Sequence, residues 1–295
     1  MSLGRVLTAM VTPYTKTGEV DYEKAQKLTE YLLTHGSDAV VVCGTTGESP
    51  TLSVPEKDKL WDAVIEAAKG KGKVVVGTTD NETAFSVDLA KRAEKSGADA
   101  LLAVVPYYNK PPQEGLYQHF KAIANGAPDL PMILYNIPGR TGINMQPETV
   151  KRVAADCPNI VALKDSTGNL DQVSNLRRLM GDDFTIYSGD DSLTLPILSV
   201  GGSGVISVAS HLIGEQLQEM IQAFFAGDVK KALDLHLRYL PLFHKIFITA
   251  NPIPIKACLN MLGWDMGECR LPLIPATEEQ NAVLRDMLKD AGLLK

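Results

Sequence analysis

Aromatic residues make up only 6% of this 295-residue chain, and bases are outnumbered, with 29 Lys+Arg against 35 Asp+Glu and a formal net charge of −6. A nucleic-acid surface needs clustered cations to displace counterions and flat rings to stack on bases. Both are scarce, so nucleic acid is excluded as a partner. The four cysteines, Cys43, Cys157, Cys258 and Cys269, lie far apart and form no CxxC pair. That spacing suits neither a zinc site nor a disulfide framework and fits reduced thiols in a cytoplasmic protein. His35, His119, His211, His236 and His244 show no HxH or HExxH spacing, so no metal site is expected. The opening Met1-Ser2-Leu3-Gly4-Arg5 lacks a signal peptide's cleavage pattern. A stretch without formal charge runs between Asp191 and Glu215, but Pro196, Gly201, Gly202 and Gly204 interrupt it. It reads as helix, turn, buried strand and turn rather than as a membrane span.

What is present is an alternation. Short apolar, β-branched runs fall at Val6–Val11, Ala39–Val42, Lys73–Gly77, Ala100–Val105, Met132–Tyr135, Ile160–Lys164, Thr185–Tyr187 and Val205–Val208. Runs this short and continuously apolar mark strands buried on both faces, as in parallel sheets. Amphipathic stretches such as Tyr22–Thr34, Pro55–Ala68, Ala84–Lys95, Glu114–Ala124, Pro147–Ala155 and Leu170–Met180 lie between them. Start signals stand at Ser53/Pro55, Gln146/Pro147 and Ser166/Thr167, and Gly36, Gly70, Gly97 and Gly181 provide stops. Eight βα units predict an α/β fold, a (β/α)8 TIM barrel over residues 1–226. A doubly wound sheet shares the alternation, but the eight-fold count and the absence of a GxGxxG after the first strand favour the barrel. From 227 to 295 the strand signal disappears, and Val229–Ile248, Pro254–Leu262 and Thr277–Ala291 predict an all-helical C-terminal domain.

In such a barrel, chemistry belongs at the C-terminal ends of strands. Lys164 closes the apolar run Ile160–Leu163, and period-two alternation points it into the barrel mouth if Val161 and Leu163 face the outer helices. Burial of an ammonium favours the neutral amine, and a neutral amine in an enclosed site adds to carbonyls and forms imines. A structural ion pair with Asp165 or Glu48 is the alternative. Tyr135 ends the neighbouring strand, where a phenol can shuttle protons, or simply pack on a loop as strand-end aromatics do. Gly44-Thr45-Thr46-Gly47 offers hydroxyls and backbone N–H groups for a carboxylate, or makes an ordinary βα turn. Arg140 in a loop over the mouth can clamp a carboxylate, or stand solvated as an ordinary loop arginine. Gly201-Gly202-Ser203-Gly204 precedes a strand and reads as a tight turn, and Asp190-Asp191 reads as an N-cap.

Six segments in order, GTTGES (44–49), PYYNKP (106–111), YNIPGRTG (135–142), LKDSTG (163–168), SGDD (188–191) and GVISV (204–208), resemble the dihydrodipicolinate synthase (4-hydroxy-tetrahydrodipicolinate synthase) family of pyruvate-dependent class I aldolases. The resemblance implies that Lys164 forms a Schiff base with pyruvate. It makes Tyr135 a proton shuttle linked through Thr45 to Tyr108, which reaches in from a neighbouring subunit. It also implies that Thr46 holds the pyruvate carboxylate, that Arg140 receives the carboxylate of L-aspartate 4-semialdehyde, and that Gly189 and Ile206 line the pyruvate pocket. No cofactor is needed, because the lysine is the electron sink, and a homotetramer built as a dimer of dimers is implied. A sister aldolase acting on polyol-bearing substrates, or a non-catalytic pyruvate-binding barrel, is the competing reading. Tandem Thr45-Thr46 and Arg140 favour a short acidic aldehyde, and a binding protein would not require the proton relay.

Members inhibited by lysine use an interface site whose side chains match Ser49, Asn81 and Tyr107 here. The resemblance also exposes departures: Val54 and Lys57 stand where such members tend to carry imidazoles, and Phe85 where a carboxylate meets the ligand ammonium. Lysine is therefore expected to inhibit weakly or not at all.

Overall fold

The eight apolar runs become eight parallel strands, β1 (Val6–Ala9), β2 (Ala39–Val42), β3 (Lys73–Gly77), β4 (Ala100–Val104), β5 (Met132–Asn136), β6 (Ile160–Asp165), β7 (Thr185–Ser188) and β8 (Gly204–Ser207), joined in sequence order into a closed barrel. The computed structural model describes residues 3–78 and 80–295. Helices α1 (Tyr22–Thr34), α2 (Val54–Ala68), α3 (Thr83–Ser96), α4 (Gln113–Gly126), α5 (Pro138–Thr141), α6 (Pro147–Asp156), α7 (Leu170–Met180), α8 (Thr194–Ser199) and α9 (Ser210–Phe225) run between and after the strands. Three more follow, α10 (Val229–Lys245), α11 (Ile253–Met261) and α12 (Glu278–Asp290), with no further strand. Among the described residues, no helix is long and apolar enough to cross a membrane.

Local chemistry accounts for most boundaries. Asp21 accepts from the Lys24 N–H ahead of α1, Ser53 donates its N–H and hydroxyl to Glu56 ahead of α2, and Pro147 opens α6. Gly36, Gly70, Gly97 and Gly181 all take positive φ where helices stop. Asp190 caps the 3-10 turn Asp191–Leu193 through the Ser192 N–H, and Gly201–Ser203 turns the chain into β8. Two expectations need correction. The cap of α7 is not Ser166 or Thr167 but Asn169, which directly precedes the helix and accepts from the Gln172 N–H. The segment around Arg140 is not a loop but the single turn α5, because Pro138 presets a helical φ and Gly142 (φ +72°) ends it in the left-handed region.

Contacts divide the chain into two compact units, one running to Lys73 and resuming at Ser207, the other Val74–Ile206. In the first, β1, β2, α1, α2 and α9 enclose a core that includes Leu7, Leu28, Val40, Leu60 and Trp61. Buried hydroxyls tie it together, with Thr8 Oγ1 2.6 Å from Ser37 Oγ and 2.7 Å from Ser210 Oγ. In the second, β4 to β7 stack Leu101, Leu134, Leu163 and Ile186 under α3, α4, α6 and α7.

Each unit buries one neutral imidazole. His211 Nε2 accepts from the Val11 N–H and its Nδ1–H donates to Val208 O, a pattern open only to the neutral ring. His119 Nδ1 lies 2.9 Å from Thr83 Oγ1. Burial pushes both rings down to about 4, opposed for His119 by Glu82 and Asp80. An unfolded imidazole titrates near 6.5, so between that pH and about 4 the unfolded chain holds more protons. This stability is fully present above pH 6.5 and drains as pH falls. Urea unfolding at fixed protein concentration is expected to lose about 3–4 kcal/mol between pH 7 and pH 5. An unchanged midpoint over that window would refute the assignment of both rings as buried and neutral.

Candidate active site

Lys164 sits at the end of β6 with only 6% of its surface exposed. It pairs in register with Tyr135 of β5 and Tyr187 of β7. Partners across parallel strands face the same side, so Lys164 and Tyr135 share a face, and the ammonium nitrogen lies 4.3 Å from the tyrosine ring centroid. Asp165 belongs to the alternate row with Asn136 and Ser188. Its Oδ1 accepts from the Thr167 N–H at 3.0 Å and hydroxyl at 2.7 Å, while burial raises the carboxyl above its ordinary range.

Two loops of the same unit carry further candidates. The stretch after β4 holds Tyr108 and Lys110 in the left-handed region (φ +71° and +45°), and Tyr108 is 88% exposed. Non-glycine residues adopt that conformation at a cost, and such costs concentrate at functional sites. Beyond β5, Asn136 is the brace: it donates to Asn144 Oδ1 and Met145 O and accepts the Met145 N–H. This fixes the chain on both sides of Arg140, which is exposed on α5. A Cβ on Gly142 would stand 2.8 Å from Lys110 Cε, the flexible end of a side chain that can move aside, and it is the positive φ (+72°) that calls for glycine there.

In the other unit, the turn from Cys43 to Glu48 opens and closes on left-handed residues (φ +56° each). The Glu48 N–H donates to Thr45 O, and the Thr12 hydroxyl holds Gly47 O at 2.6 Å. Thr46 is buried, and its hydroxyl accepts from Asn251 Nδ2 at 2.8 Å. Glu48 pairs with Lys256 of α11 at 2.8 Å, with side chains 1% and 3% exposed, and its second oxygen accepts the Arg270 N–H at 2.9 Å. Lys256 also donates to Glu268 O and lies 4.1 Å from the Tyr14 ring centroid. Burial lowers its basicity and the Glu48 carboxylate opposes that. Glu48 and Asp165 thus have partners of their own, Lys256 and Thr167, in place of the structural pairing with Lys164.

The residues matching a lysine-inhibition site fall in both units. Tyr107 is half-buried, donates to Asp80 Oδ2 at 3.0 Å and has its phenol pushed up to about 12, by burial first and then by Asp80. Asn81 accepts from Asn109 through its carbonyl. Ser49 begins the 3-10 turn Ser49–Thr51, and Lys57 is buried in α2.

The structure therefore brings Lys164, Tyr135 and Gly189 together within one unit and sets Thr45 and Thr46 on a braced turn in the other. Sequence reading missed Asn251 and Lys256, whose only signal was proximity to Pro252 and Pro254, and it read Ser166 as a helix start. Among the described residues no group of three or more His, Cys, Asp or Glu side chains could hold a metal ion.

A closed (β/α)8 barrel with a buried lysine beside a tyrosine at neighbouring strand ends defines the class, one in which a side-chain amine can act on a carbonyl substrate. The chain belongs to the dihydrodipicolinate synthetase family, whose model matches residues 2–291. It is 55% identical over 293 residues to the 4-hydroxy-tetrahydrodipicolinate synthase of a Cyanothece species, covering 99% of each chain. The Thermosynechococcus vestitus protein of that name is 56% identical over 292 residues, covering 99% of this chain and 98% of that one. Among solved structures, DHDPS from Cyanidioschyzon merolae with lysine bound superposes with a TM-score of 0.98 at 53% identity, covering 99% of each chain.

Proposed function

We propose that this chain is a lyase that condenses pyruvate with L-aspartate 4-semialdehyde to 4-hydroxy-tetrahydrodipicolinate, on the diaminopimelate route to lysine. Full-length relatives of that name at 55% and 56% identity support the reaction. The observation that carries the chemistry is the buried Lys164 amine set 4.3 Å from the Tyr135 ring. Lys164 adds to the keto carbon of pyruvate, and loss of water leaves an imine. The imine acidifies the pyruvate methyl, and the resulting enamine attacks the aldehyde carbon. The amine of the second substrate then displaces Lys164 as the ring closes. Tyr135 carries protons, relayed through Thr45 to Tyr108 of the partner subunit. Thr46 holds the pyruvate carboxylate, with its hydroxyl oriented by Asn251. Gly189 and Ile206 line the pocket, and Arg140 receives the semialdehyde carboxylate. Tyr108, 88% exposed, is suited to action across an interface in a dimer of dimers.

The test is a coupled assay with both substrates and dihydrodipicolinate reductase, following NADPH loss. Turnover that depends on both substrates is expected. No turnover from a protein that borohydride still traps with pyruvate would redirect the assignment to an aldolase with another aldehyde.

Lysine is expected to inhibit weakly. The apolar ring of Phe85 offers no counter-charge to a ligand ammonium, and Lys57 adds a like charge. Half-maximal inhibition below roughly 1 mM lysine in the same assay would overturn this expectation. The Cyanidioschyzon merolae protein, solved with lysine bound, is the natural comparison.

A further inference from the structure

Two residues beyond Lys164, toward the barrel mouth, stands Ser166. The pairings Lys164 with Tyr187 and Tyr187 with Gly204 place Ser166 level with Gly189 and Ile206, one row above the lysine on the same face. The geometry is tight. A Cβ on Gly189 would lie 2.0 Å from Ser166 Oγ and 2.9 Å from Lys164 Cε, so the hydroxyl fills the space that the glycine leaves, beside the last methylene of the lysine.

That hydroxyl is shut off from solvent and has no hydrogen-bond partner among the described residues. The backbone does not need it, because the Ser166 N–H already donates to Asn136 O at 2.9 Å. A buried hydroxyl left without a partner costs free energy in the folded protein, and alanine would fill the same position without that cost. The group is therefore poorly explained by packing and well explained by a partner that arrives with substrate.

We propose that Ser166 is a catalytic residue whose hydroxyl binds the oxygen on the carbon attached to Lys164 Nζ during imine formation. This rests on the reading of Lys164 as the imine-forming amine. Cε is one bond from Nζ, so whatever Nζ carries comes within reach of Ser166. As Nζ adds to the keto carbon, a C–N bond forms and the carbonyl π pair moves to oxygen, which gains a proton as the nitrogen loses one. The C–O bond then breaks, and that oxygen takes a second proton and leaves as water, with no change of oxidation state. Ser166 donates a hydrogen bond to this oxygen as its charge builds and gains or loses no proton overall. In the closing displacement no oxygen leaves that carbon, so Ser166 has no equivalent task there.

The experiment is Ser166→Ala, read by the rate at which borohydride traps pyruvate on the protein, by steady-state kinetics and by thermal unfolding. Trapping and kcat/KM for pyruvate are expected to fall roughly tenfold, the scale of one lost hydrogen bond. The kcat/KM for the semialdehyde is expected to change far less, and Tm to stay level or rise. Trapping at the wild-type rate would overturn the proposal, as would a loss of both kcat/KM values together with a lowered Tm, the mark of a structural hydroxyl. A wild-type protein that borohydride cannot trap at Lys164 would overturn the imine reading itself and this proposal with it. Normal wild-type trapping with an equal rate in the variant overturns the role of Ser166 alone.

Discussion

Replacing Lys164 by alanine is expected to abolish borohydride-dependent trapping of pyruvate and to lower turnover on the order of 10⁴-fold or more, the scale seen when a covalent nucleophile is removed. The size of the effect follows from the proposed mechanism, in which without the amine there is no imine, and without the imine the pyruvate methyl stays a very weak acid in water. Fold should survive. Lys164 lies at a strand end with 6% of its surface exposed, and its contact is a ring face rather than a carboxylate. Truncation removes a buried polar group from a place near the barrel mouth, so Tm is expected to move by only a few degrees. Lys164→Arg sharpens the result, since a guanidinium stays protonated and cannot add to a ketone. Both variants should be equally inactive, and a residual rate near wild type in either would overturn the assignment.

The strands were legible because their interiors are continuously apolar, yet β5, β6 and β7 each extend one residue past the apolar run, to Asn136, Asp165 and Ser188. These read as turn residues in isolation, but they pair with one another as a polar row that continues the sheet. At β1 the error is in the other direction. The run to Val11 looks like strand, but the Val11 N–H is taken by His211 Nε2 instead of a neighbouring strand. A side chain 200 residues away decides that boundary, and no local pattern reports it. The site divides the same way. Lys164 stands out because a lysine closes an apolar run, and Tyr135 because it ends the strand beside it. Asn251 contacts Thr46 across 205 residues, and before the fold is known nothing separates it from any asparagine ahead of a proline. Ser166 sits in a run of turn-forming residues, where its capping meaning hides its position above the lysine.

Breaking the Glu48–Lys256 pair is expected to destabilise the protein by about 3–5 kcal/mol, because either single change leaves a charge buried without its partner. Lys256→Met strands the Glu48 carboxylate, which keeps the Arg270 N–H at 2.9 Å and the Cys269 side chain but no cation. Glu48→Gln strands the Lys256 ammonium against the Tyr14 ring and Glu268 O. For a chain of this length such a loss lowers Tm by roughly 5–8 °C. The double variant Glu48→Gln/Lys256→Met removes both charges, and much of the loss should return. Activity should follow the same cycle. Glu48 lies two residues after Thr46, and Lys256 lies five residues after Asn251, which holds the Thr46 hydroxyl. The two contacts thus fasten one turn to one segment of the C-terminal helices, and loosening either shifts the backbone that would meet the pyruvate carboxylate. Each single variant is expected to raise KM for pyruvate more than it lowers kcat, with partial recovery in the double variant. Additive losses in Tm across the cycle would show that the two side chains act independently, and the pair would then have no part in holding the turn.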